Sequence, residues 1–147
     1  MNSRSGDTAR AMSQENVEVV VGQFEGVNAR AFATVMDAYA EDVILIPHGR
    51  WGALGSLQVV AGKDAVGEWF GDWFRTFDRD YRFEVEESRD LGDRVFIVAK
   101  HHARGRVSGV PVATQTTYLY TVRKGKISQV ELWDDRDEAL EAVGLSE

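Results

Sequence analysis

The feature that most constrains this chain is a change of period at Asp80. Before it, apolar residues recur every three or four positions; after it, they alternate through four runs, 81–89, 93–103, 111–122 and 126–134. Alternation over such lengths, broken by short polar turns, predicts four consecutive antiparallel strands. Helices come first and strands follow, which predicts an α+β fold with helices on one side of a curved antiparallel sheet.

The helical part divides at its own punctuation. Ser13 is a suitable N-cap, and Val17, Val20, Val21, Phe24 and Val27 follow at amphipathic spacing. Phe32, Val35, Met36 and Tyr39 mark a second, shorter helix. Asp42 then introduces "VILIP", a short buried strand ended by Pro47. Residues 48–62 are glycine-rich and irregular, with a short strand expected at "LQVV". A third helix opens at Gly62-Lys63-Asp64 and carries Val66, Trp69, Phe70, Trp73, Phe74 and Phe77 on one face. The tail "RDEALEAVGL" reads as a last helix with a glycine near its end. Residues 1–12 are polar and are expected to be a disordered lead. Residues 13–147 are expected to form one domain.

Composition excludes several classes. With 44% apolar residues, 147 positions suffice for one core. A net charge of −7 argues against nucleic acid or an anionic membrane as partner. The chain has no cysteine and only three histidines, so thiolate metal sites are excluded and a histidine-rich one has little room. No apolar run reaches the roughly 18–20 residues that span a bilayer. The first residues lack the apolar core of a secretory signal, so a cytoplasmic location is expected.

Register decides which side chains share a face. A two-residue turn at Lys124-Gly125 would need positive φ at Lys124, which is unfavourable, so a three-residue turn, Arg123-Lys124-Gly125, is preferred. That pairs Tyr118 with Val130 and Thr116 with Leu132. The turn at Gly92, read alike, pairs Ile97 with Val85 and Ala99 with Phe83. One face then holds Phe83, Ile97, His101, Thr116, Tyr118, Leu132 and Asp134; the other holds Phe96, Val98, Thr117, Glu131 and Trp133. The first face, under the aromatic helix, is expected to enclose an apolar pocket with a few polar groups.

Five segments carry a family resemblance: "AEDVILIPHG" (40–49), "AGKDAVGEWFGDWF" (61–74), "GDRVFIV" (92–98), "GKISQVELWD" (125–134) and "DEALEAVGL" (137–145). In order and spacing the chain resembles the nuclear transport factor two-like superfamily, in particular its SnoaL-like polyketide cyclase and ketosteroid isomerase branch. The resemblance implies a cone-shaped α+β barrel around a deep pocket, commonly a homodimer. It also implies isomerase, cyclase, dehydratase or hydrolase chemistry without a metal or other cofactor. The isomerase base would fall at Pro47, which cannot act as a base, and one oxyanion tyrosine would fall at Gln23. The second oxyanion acid would fall at Tyr118, near where SnoaL-like cyclases place a catalytic aspartate. The Arg-Asp-Asp arrangement of limonene epoxide hydrolase is not evident. These departures argue against steroid isomerase activity.

The expected catalytic residues are Asp134 and His48 for proton transfer and Tyr118 as donor to a developing oxyanion. His101, Thr116, Phe70, Trp73, Phe74, Leu132 and Gln23 are expected to line the pocket, with no metal ligands. The ordinary alternatives are a helix cap for Asp134, a loop histidine for His48, and satisfied core positions for Tyr118 and His101. Trp133 beside Phe96 would be an exposed apolar patch on a monomer, so that face is expected to form a homodimer. The expected ligand is a small apolar, oxygenated molecule, turned over by acid–base chemistry. The competing reading is a non-catalytic binding or dimerisation module on the same fold.

Overall fold

The computed structural model describes residues 3–48 and 59–145. Its elements are α1 (Ser3–Asn28), α2 (Phe32–Asp37), β1 (Tyr39–Pro47), β2 (Val60–Ala61), α3 (Lys63–Phe74), β3 (Arg82–Asp90), β4 (Arg94–Arg104), β5 (Pro111–Arg123), β6 (Lys126–Trp133) and α4 (Arg136–Val143). The strands form one six-stranded sheet in the order β2-β1-β6-β5-β4-β3. β1 runs parallel to β6, and every other neighbour is antiparallel. The expected α+β architecture is therefore observed.

Three sequence expectations change. α1 begins at Ser3, so Ser13 lies inside it and is not its cap. The intervening "TARAM" has strong helix formers and no breaker, which carries the helix through. Tyr39 is the first residue of β1 rather than the end of α2. Of the strand expected at "LQVV", residues 57 and 58 lie outside the described residues, Val59 is not in a strand, and Val60 begins β2.

Beyond the bulges, away from the turns, both hairpin registers differ from expectation by two residues. Tyr118 opposes Leu132, and Phe83 opposes His101. The β5–β6 turn is the two-residue form, with φ of 54° at Lys124 and 76° at Gly125. The twist of a two-residue turn with positive φ at both positions matches that of the flanking strands, and this outweighs the strain at Lys124. Irregularities between Thr121 and Val122, and between Val85 and Glu87, insert extra residues and bend the sheet. A shift of two preserves the faces, so the expected division of side chains holds through Val85. After that bulge parity flips, and Glu87 opposes Val98.

The concave face carries the main core. Val20, Phe24 and Val27 of α1 and Val66 of α3 pack there on Ile97, Tyr118, Val130 and Leu132. Asn28, at the end of α1, donates from Nδ2 to the Phe83 carbonyl (2.9 Å) and accepts the Phe83 N–H at Oδ1 (2.7 Å). The helix end thus satisfies edge strand β3 where no further strand pairs with it. Arg30, at φ 61°, donates to the Val27 and Tyr81 carbonyls and sits 3.9 Å over the Tyr81 ring. It ties the helix end to the segment entering β3.

The convex face corrects the expected dimer surface. Trp133 and Phe96 are 3% and 0% exposed, packed with Val98 and Leu119 under Ala139 and Leu140 of α4. The tail helix of the same chain covers the patch; burying Leu140 alone contributes about 1.5–3 kcal/mol. Asp135 starts this helix by accepting from the Asp137 and Glu138 N–H groups, and Gly144, at φ 80°, closes it. Arg136 holds it to the sheet through Glu87, with Nε–Oε1 at 2.8 Å and Nη2–Oε2 at 3.2 Å. Those bonds, the largest effect there, keep the Glu87 carboxyl below its ordinary value against the cost of burial.

Candidate functional site

Between α1, α2, α3 and the concave face lies a cavity of about 900 Å³. That falls within the range of small-molecule sites, roughly 300–1,000 Å³. Its walls come from the aromatic stripe of α3. Trp73 packs against Phe77 at 5.2 Å and Phe83 at 6.0 Å, and Phe74 stacks on Tyr81 at 5.0 Å. The i, i+4 spacing that the sequence placed on one helix face produces this wall.

The charged lining residues other than Lys63 are exposed, and the buried polar ones are tyrosines and a glutamine. Tyr39, Tyr118 and Tyr120 line the cavity together with Gln23. The Tyr118 and Tyr120 rings lie 5.8 Å apart, and Phe24 meets them edge-on at 5.2 and 6.1 Å. Burial pushes all three phenols well above the usual tyrosine range. Repulsion from Tyr39 adds to this at Tyr118 and Tyr120. They are neutral donors throughout the physiological range. Gln23 is 5% exposed, and its buried Oε1 has no hydrogen-bond partner among the described residues. An unsatisfied buried carbonyl costs about 1–3 kcal/mol in stability.

The structure brings part of the expected site together. Gln23, Phe70, Trp73, Phe74 and Tyr118 all line the cavity. Thr116 and Leu132 lie on the concave side as expected but are fully packed, at 2% exposure each, and do not line it. His101 sits behind the wall, 1% exposed, with rings of Trp73, Phe83 and Phe77 at 4.5, 4.7 and 4.7 Å. Neither of its ring nitrogens has a partner among the described residues. Burial first, and His102 second, push its pKa down to about 4, so it is a neutral wall element near pH 7.

Two expected residues lie elsewhere. His48 stacks on Trp133 at 4.6 Å and meets Glu131 Oε1 through Nε2 at 3.0 Å. That is the convex side of the sheet, because Trp133 belongs to the core beneath α4. Asp134 follows the last residue of β6, is partly exposed, and is not among the cavity-lining residues. Strand alternation ceases to apply at both positions. Asp135, one residue further on, is the helix cap.

Sequence reasoning missed Tyr39 and Tyr120. The signal for Tyr120 was present, since it continues the alternation of Thr116 and Tyr118. Tyr39 was assigned to a helix stripe. Among the described residues, no three His, Asp or Glu side chains converge as metal ligands would. No helix there is long and apolar enough to cross a membrane.

Comparison with known proteins gives one consistent result. Residues 20–130 match the model of the SnoaL-like domain. No curated protein matches the chain. A candidate SnoaL-like polyketide cyclase from Jannaschia sp. CCS1 superposes with a TM-score of 0.73 at 21% identity, covering 92% of this chain and 96% of that one. TerC, co-crystallised with polyporic acid, gives 0.70 at 18% identity, covering 88% and 98%. The Mycobacterium tuberculosis protein RV0760c, in complex with estradiol-17beta-hemisuccinate, gives 0.69 at 19% identity, covering 84% and 95%. At these identities the structural likenesses speak for the fold, and the family match over residues 20–130 carries membership: the chain belongs to the SnoaL-like domain family.

Proposed function

We propose that this protein binds an apolar, oxygenated small molecule in the α3-covered cavity. One observation carries the reading: the neutral phenols of Tyr39, Tyr118 and Tyr120 line the same cavity as the aromatic wall of α3. Such a site rewards a ligand whose ring system fills the cavity and whose oxygens meet the Tyr39, Tyr118 and Tyr120 hydroxyls. Two structural relatives hold ligands of that general kind, polyporic acid in TerC and the estradiol ester in RV0760c. Their likeness adds support for binding and says nothing of turnover here.

If the protein is an enzyme, its chemistry is stabilisation of negative charge on a ligand oxygen by Tyr118 and its neighbours. His48 and Asp134 lack access to the interior from their present positions, so neither serves as the base in this reading. The second reading is a binding protein without turnover. It is favoured by one observation: among the described residues, the carboxylates that line the cavity, Asp64, Glu68 and Asp78, are all exposed. Self-association through Trp133 and Phe96 is not part of either reading, because α4 occupies that patch. Thermal-shift measurement with shape-matched quinones and hydrocarbons tests the proposal. Selective stabilisation by the quinones supports it, and no response to either class counts against it.

A further inference from the structure

The mouth of the cavity carries charge of both signs. Lys63, Asp64 and Glu68 line it near the start of α3, and Arg75, Asp78, Arg79 and Arg106 line it at and beyond the end, where the cations outnumber the anion. The rise of a helix separates Asp64 from Arg75 by about 16 Å. Arg75 is engaged by Asp72. Among the described residues, neither Arg79 nor Arg106 has a carboxylate partner. Arg79 has an aspartate on each side in sequence: Asp78 accepts the Arg79 N–H at Oδ1 (2.7 Å), and Asp80 is exposed and makes no ion pair with either arginine among the described residues.

Both arginines stand on backbone that is held in place. The Asp78 N–H donates to the Arg104 carbonyl (2.8 Å), the Arg106 N–H donates to the Thr76 carbonyl (3.2 Å), and Phe77 bridges to Gly105. Two guanidinium groups therefore flank the same lip, one from each of two paired segments. Just inside that lip are Phe77 and Tyr81. A chain of net charge −7 repels anions at long range, so an attraction here is local to this lip.

We propose that the ligand is an amphipathic acid, with an apolar ring system inside and a carboxylate held at the lip by Arg79 and Arg106. This rests on the cavity reading above and adds the class of ligand. Guanidinium groups suit a carboxylate because their paired N–H donors match its two oxygens. The phenols and Gln23 then read the far end of the ligand, and the arginines fix which end enters last.

The test uses pyrene-1-butyric acid and its methyl ester, titrated by fluorescence at low ionic strength. The proteins are wild type, the Arg79→Gln/Arg106→Gln double variant, and Arg123→Gln at the distant β5–β6 turn. All three arginines are exposed, so the variants retain the core. Wild type should bind the acid roughly tenfold more tightly than the ester, as charge-assisted bonding implies. The double variant should lose that preference through the acid alone, and Arg123→Gln should keep it. Equal affinity of wild type for both probes overturns the amphipathic-acid proposal while leaving the cavity reading intact. So does a preference that survives the double variant. Binding of neither probe by folded wild type overturns both.

Discussion

His101 stacks on Phe83 with ring centroids 4.7 Å apart and 28° between planes, in a box of aromatic rings that offers its nitrogens no partner. The unfolded chain binds a proton at this histidine below about pH 6.5, whereas the folded chain does so only near pH 4. Between those values the unfolded state carries more protons, so stability falls as pH drops through this window. At about 1.4 kcal/mol per unit, the upper bound on the loss is about 3–4 kcal/mol. Glu87 titrates below its usual 4.5 when folded, so its own contribution is lost at the acidic end. Urea midpoints measured from pH 7 to pH 5 should fall in wild type and fall less in His101→Leu. Equal slopes in the two proteins would remove His101 as the cause.

Asn28 satisfies both polar backbone groups of Phe83, which stands beside the cavity wall. Asn28→Ala leaves that N–H and C=O without their partners. The expected cost is about 2 kcal/mol in denaturant unfolding. A change below about 0.5 kcal/mol would mean that solvent replaces the asparagine fully.

Leu140 is the α4 side chain buried with Trp133 and Phe96. Leu140→Ala should destabilise by about 2–5 kcal/mol, the range for a large-to-small change in a packed core. Removing α4 altogether should expose the Trp133 patch and drive association, visible by light scattering. A monomeric, stable truncated chain would contradict the role of α4 as the cover of this face.

Lys124 holds a left-handed backbone, φ 54°, which an asparagine adopts more readily. Lys124→Asn should therefore raise stability by about 0.5–1 kcal/mol. Destabilisation instead would show that the β5–β6 turn has a different form in solution.

Much of this fold was legible because alternation survives small errors of register. Tyr118 faces the concave side whether it opposes Val130, as expected, or Leu132, as observed, because two residues make one full period. The strand expected at 93–103 is found at Arg94–Arg104 for the same reason: the pattern locates the element, and its ends carry little signal. Depth along the sheet was not legible. Thr116 and Leu132 have the right parity, yet they are packed over instead of bordering the cavity, because curvature and helix placement decide which stretch of a face stays open. His48 and Asp134 lie just past the ends of β1 and β6, where parity no longer dictates direction. The cover over Trp133 was missed although both parts were recognised. A short helix shows its own apolar residues but not which sheet face they meet.

The most direct measurement of the central reading compares 9,10-phenanthrenequinone with phenanthrene, titrated against tryptophan fluorescence in wild type and Tyr118→Phe. The two probes share a ring system and differ in two carbonyl oxygens. Wild type should bind the quinone roughly three- to tenfold more tightly, the worth of one net hydrogen bond. Tyr118→Phe should weaken the quinone by a similar factor and leave the hydrocarbon unchanged, while the variant unfolds at the wild-type temperature or slightly above it. Equal affinity for quinone and hydrocarbon in wild type, or binding of neither, would contradict a tyrosine-lined site for oxygenated ligands.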